Sequence, residues 1–157
     1  MGQKDLSEKI LEDYNDVFAD IMNVLLFDGE EKVKPSSLMN SSVHSQYKAD
    51  DGKLHEQERD IAKYWTDCNV ELAICGVENQ TKVEKFMPFR AIGYDGATYR
   101  SQLQAKKSEI VPVVTIVLYF GTEERWTTAK NIKSLMTIPD GLDQYVNDYN
   151  SNFAHRF

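Results

Sequence analysis

Val70-Glu-Leu-Ala-Ile-Cys-Gly-Val-Glu-Asn-Gln80 is a run of strand-forming residues that closes on three polar side chains. Strand side chains alternate between faces, so Val70, Leu72, Ile74, Gly76, Glu78 and Gln80 share one face. Glu71, Ala73, Cys75, Val77 and Asn79 share the other. Both faces are largely apolar, the pattern of a strand internal to a sheet. Glu78 and Gln80 therefore lie side by side at its end. A buried carboxylate there is costly unless paired, and a metal ion would pair it.

Residues 59 to 65 read as a strand, 67 to 69 as a turn, and 70 to 77 as its hairpin partner. Downstream, Pro88 suits the first turn of a helix running to about residue 105, with Phe89, Ile92, Tyr99 and Leu103 as an imperfect apolar stripe. Residues 110 to 120 are β-branched and aromatic on both faces, as in a central strand, and Gly121 ends it. Residues 8 to 27 carry Ile10, Tyr14, Val17, Phe18, Ile21, Val24 and Leu25 at helical spacing, with Ser7 as N-cap and Gly29 as stop. From 35 to about 58 the chain turns polar, which predicts a long connection or flap. A short helical pattern spans 130 to 136, and the tail has no clear assignment. The order helix, strand, strand, helix, strand, helix predicts an α/β fold with a small mixed sheet between helices.

The 157 residues suit a single domain spanning 1–157, 41% of them apolar. Cys68 and Cys75 form no CxxC or Cys/His grouping, which suits a reducing, cytoplasmic setting, and the longest apolar run is too short to span a bilayer. Residues 1 to 31 hold nine carboxylates against Lys4 and Lys9, which accounts for the whole net charge of −7. Between 82 and 107 six cations (Lys82, Lys85, Arg90, Arg100, Lys106, Lys107) face Glu84 and Asp95, a surplus of four. Such a run is a solvated helix face or a surface for a phosphate backbone.

Hydrolysis of a phosphodiester needs a positioned water and cancellation of phosphate charge, which carboxylate-held divalent ions supply. Asp60, eighteen residues before Glu78, converges with it on one magnesium if the two strands pair, and the Asn79 carbonyl adds a ligand. Gln80 carries no charge and would orient water or phosphate by hydrogen bonding. By spacing alone the signal is weak, because a capped turn plus a surface acid explains the same residues. Arg90 and Tyr94, four apart on a helix, bind phosphate or stack to close the helix onto the sheet. His55 reads as a loop histidine, Trp65 and Trp126 as packing residues, and Asp16 as the candidate for an extra ligand.

The run from Gly76 through Glu78-Asn79-Gln80, Met87, Arg90, Tyr94 and Asp95, followed by an apolar strand ending in Tyr119-Phe120-Gly121, resembles the recombination-promoting nuclease or putative transposase family of the PD-(D/E)XK superfamily. That family shows a strand ending in Glu-x-Gln, then Met-x-x-Arg with a following Tyr, then an apolar strand ending in aromatic-x-Gly. Its preceding aspartate maps onto Asp60, and its helical Asp-x-x-Phe pattern resembles Asp16-Val-Phe-Ala-Asp20, so coverage runs over about residues 13 to 121. The resemblance implies a restriction-endonuclease-like core and a DNA endonuclease using Mg2+ or Mn2+, linked to recombination or transposition. It implies Asp60, Glu78 and Gln80 as catalytic residues, with Asp60, Glu78 and Asn79 on the metal and Arg90 and Tyr94 on DNA. The expected partners are DNA and, as a candidate assembly, a second copy in a homodimer, with no membrane. Two departures count: the wider superfamily has Lys where Gln80 stands, and many relatives have Lys where Ala19 stands. Family members are often longer, which implies a C-terminal region beyond this chain. The alternative is a non-catalytic DNA-binding or protein-interaction module that retains the fold.

Overall fold

A computed structural model describes residues 9–41, 44–48, 54–58, 60–68 and 70–155. In chain order its elements are α1 (Asn15–Leu26), β1 (Leu38–Asn40), β2 (His44–Lys48), β3 (Leu54–Glu58), β4 (Ile61–Asp67), β5 (Val70–Gln80), α2 (Met87–Gln104), β6 (Val113–Tyr119) and β7 (Asn152–His155). The order β1-β4-β5-β6-β7 forms one five-stranded sheet, and β2 and β3 pair as a separate hairpin beside α2. β4 runs antiparallel to both β1 and β5, whereas β6 lies parallel to β5 and β7 parallel to β6. This mixed open sheet flanked by helices is the α/β architecture expected, with the apolar run of β5 at its centre. No helix among the described residues is long and apolar enough to cross a membrane.

Strand alternation assigns each face its helix. Cys75 and Val77 of β5, with Ile116 and Leu118 of β6, pack under Phe18, Ala19 and Met22 of α1. On the opposite face Val117 and Tyr119 pack with Met87 and Tyr94 of α2 and with Trp126. Trp126 meets both Tyr119 and Phe153 in ring contacts, and Trp65 meets Phe27, so both tryptophans are packing residues. Gly121 is required by a close approach: a Cβ there would collide with the Tyr119 ring, whose hydroxyl donates to the Glu124 carbonyl at 2.7 Å.

Four expectations are corrected. The single helix over 8 to 27 is two pieces, a turn at 9–12 and α1, broken at Asp13 and Tyr14. The Asp13 carbonyl accepts the buried Lys63 ammonium at 2.8 Å, and Tyr14 is extended, with ψ 132°. α1 ends at Leu26, and Gly29 is the expected stop: Asp28 and Gly29 both take positive φ, and the Gly29 amide donates to the Asn23 carbonyl at 2.8 Å; Ser7 lies outside the described residues. The polar stretch from 35 to 58 holds a 3-10 turn, β1, β2 and β3, and β1 gains its strand form by pairing with β4. The helix expected over 130 to 136 is one 3-10 turn, Lys133–Leu135, and the tail ends in β7. Finally, α2 buries Met87, Ala91, Tyr94, Asp95 and Gln102, while Phe89 and Leu103 are exposed. Its inner face is half polar because Asp95 accepts from Thr115 and Tyr149, and Gln102 pairs with both backbone groups of Val111.

Candidate active site

The β4–β5 register pairs Ile61 with Val77, which sets Asp60, the residue before β4, across from Glu78. Asp60 turns one carboxylate oxygen, Oδ2, to the Asn79 amide, which donates at 2.8 Å. Its other oxygen meets the Lys9 ammonium at 2.6 Å. The two strand ends are thus tied through the backbone of the residue between Glu78 and Gln80.

Glu78 is 2% exposed and its charge acts on the pair Arg90 and Tyr94 of α2. Arg90 donates to the Tyr94 hydroxyl at 2.9 Å and lies over its ring, a stack one turn apart along α2. Burial, then the Glu78 charge, raise the Tyr94 pKa above its ordinary value, outweighing the Arg90 guanidinium. Burial works to lower the Arg90 pKa, but the Tyr94 hydrogen bond and the charge of Glu78 leave it raised. Gln80 is half-buried, and its carbonyl accepts the Phe120 amide at 2.8 Å, fixing the β5 end against β6.

Asn79 points to the opposite face, where its side-chain amide donates to Glu12 at 2.7 Å. Glu12, one of the nine carboxylates of residues 1 to 31, is 5% exposed. Asp16, the residue singled out there, is instead exposed on α1. Lys9 and Glu12 are the site neighbours that sequence reasoning missed. The available signal was that Lys9 is one of two cations among the first 31 residues. The reading of His55 falls on a side chain outside the described residues.

The donors at this strand end are oxygens. Magnesium takes oxygen ligands, keeps several waters and is held by one or two carboxylates, so a facing Asp60 and Glu78 fit it. The Lys9 ammonium already places a cation against Asp60. Among the described residues no group of three or more His, Cys, Asp or Glu is gathered in a metal-holding arrangement.

Residues 69–154 match the family model described as "Putative transposase, YhgA-like". The matched span contains Glu78, Asn79, Gln80, Arg90 and Tyr94 and reaches β7, while Asp60 and α1 precede it. No curated protein and no solved structure gives a significant match to the chain.

Proposed function

The chain belongs to the YhgA-like putative transposase family, of the PD-(D/E)XK nuclease-like transposase group, and from that premise we propose that it is a metal-dependent DNA endonuclease serving transposition or recombination. The observation that carries this reading is the register that sets Asp60 across from Glu78 at the end of β5. When bound, magnesium or manganese supplies charge cancellation at the phosphate and lowers the pKa of a bound water. Asp60 and Glu78 would hold the ion, with the Asn79 carbonyl as a third protein oxygen. Gln80 orients the attacking water or a phosphate oxygen by hydrogen bonding, since it can neither carry charge nor act as a base. Arg90, charged at any working pH and propped by Tyr94, contacts the DNA phosphate. Cys68 and Cys75 are both free thiols, in keeping with the cytoplasmic setting this reading implies.

The second reading, a non-catalytic module that binds DNA or protein, is favoured by one observation: Lys9 neutralises Asp60 with no metal, and Gln80 brings no charge of its own. Nicking of supercoiled plasmid with and without magnesium or manganese separates the two. The nuclease predicts metal-dependent nicking by the wild type that falls more than about 100-fold in Asp60→Ala and in Glu78→Ala, beyond the loss typical of removing an outer partner. DNA binding survives in both variants. A wild type that neither nicks nor takes up metal leaves the module.

A further inference from the structure

Two lysines with opposite constraints stand near one another on this side of the sheet. Lys63 is 0% exposed and its ammonium is fixed by the Asp13 carbonyl at 2.8 Å, the Asp13 carboxylate at 3.0 Å and the Asn40 side-chain oxygen at 2.7 Å. Lys9 instead stands at an opening. Its side chain is 26% exposed and that of Asp60 19%, and both line a cavity of about 370 Å3 shared with Asp13, Asn40 and Ser41. Water and small ions reach their contact through it. A partly exposed ammonium–carboxylate pair is weak, and an ammonium on a flexible four-carbon stem is released without a directional penalty. The Lys9 ammonium is the cation that the structure places on the Asp60 oxygen not used by the Asn79 amide.

We propose that Lys9 is the exchangeable counter-ion of the divalent-metal seat, holding Asp60 in the metal-free protein and yielding that oxygen when the metal binds. The inference rests on the reading of Asp60 and Glu78 as metal ligands.

Neutralising Lys9 removes the competitor, so metal binding must tighten. Calorimetric titration of the full chain with Mn2+ at pH 7 tests this in the wild type, Lys9→Met, Lys9→Gln, Lys9→Arg and Asp60→Asn. The expected result is that both neutral variants bind Mn2+ about two- to fivefold more tightly, as loss of a surface ion pair allows. Lys9→Arg stays at the wild-type value and Asp60→Asn loses uptake. Mn2+ also raises the melting temperature further in Lys9→Met than in the wild type. Unchanged or weaker affinity in both neutral variants, with Asp60→Asn still abolishing uptake, overturns the role of Lys9 and leaves the seat standing. No uptake by the wild type or any variant overturns the seat and this proposal together.

Discussion

Tyr94 shows how one side chain registers the charge state of the site. Its phenol is buried, accepts from Arg90 and feels Glu78, and its pKa is raised first by burial and then by that carboxylate. A phenol whose folded pKa lies above its ordinary value of 10.0 adds stability that is complete below that pH. The contribution is lost as pH rises through the folded value. Tyr119, which packs in the same cluster, is raised too, but by burial with Glu124 and Glu123 and not by Glu78. Ultraviolet titration of the phenolates should therefore place Tyr94 and Tyr119 among the late components. Glu78→Gln should move the Tyr94 component to lower pH, Tyr94→Phe should delete it, and the Tyr119 component should stay in both. A component that Tyr94→Phe deletes but Glu78→Gln leaves in place would show that Glu78 does not act on Tyr94. The placement of Asp60 and of Glu78, Asn79 and Gln80 at paired strand ends was legible because alternation along a strand and pairing within a hairpin are local rules. Lys9 and Glu12 were not, because the helical turn carrying them is positioned by tertiary contacts rather than by its own periodicity.

At the scale of elements, the break before α1 is where the periodicity failed and where a buried charge explains the failure. Residues 8 to 27 satisfy a helical pattern throughout, yet the Asp13 carbonyl leaves the helix ladder to accept Lys63 from β4. A buried ammonium must be satisfied, and three acceptors from two residues, Asp13 and Asn40, outweigh one helical hydrogen bond. Lys63→Ala should accordingly cost about 3 kcal/mol by removing the charge-assisted bonds and leaving a cavity under Phe18. Lys63→Met, which keeps the stem, should cost about 1–2 kcal/mol. Urea denaturation measures both, and a Lys63→Ala variant as stable as the wild type would mean that the lysine does not pin the break. The same logic separates what was legible among the strands. β5 and β6 declare themselves by composition because both of their faces are buried. β1 and β7, three and four residues long, become strands by pairing with β4 and β6, information that lies elsewhere in the chain. α2 had the right bounds and the wrong inner face, since hydropathy cannot foresee that Asp95 and Gln102 are buried with partners.

For the molecule as a whole, the fold sorts charge into regions that the linear sequence runs together. Asp16 and Asp20 of the acidic N-terminal region are exposed on α1, on one side of the sheet, and α2 with Arg90 covers the other. The basic run from 82 to 107 is divided as well. Lys107 pairs with Glu71 and lies over Tyr64, seven residues down β5 from Glu78, or roughly 23 Å at strand spacing. Arg100 sits ten residues beyond Arg90 along α2, about 15 Å at helical rise. Lys82, Lys85 and Arg90 are exposed and follow the Glu78–Gln80 end of β5 within ten residues. If DNA phosphates meet the protein at that end, the cations are not equivalent. Replacing Lys82 and Lys85 together by Ala should weaken duplex binding and reduce the slope of log affinity against log salt by about two. Replacing Lys106 and Lys107 should leave the slope unchanged. Fluorescence anisotropy with a labelled duplex over a salt series, in chelator so that cleavage cannot intervene, reads both slopes. Equal reductions in the two variants would place DNA along the whole length of α2 rather than at the carboxylate end of the sheet, and would separate binding from the site proposed for cleavage.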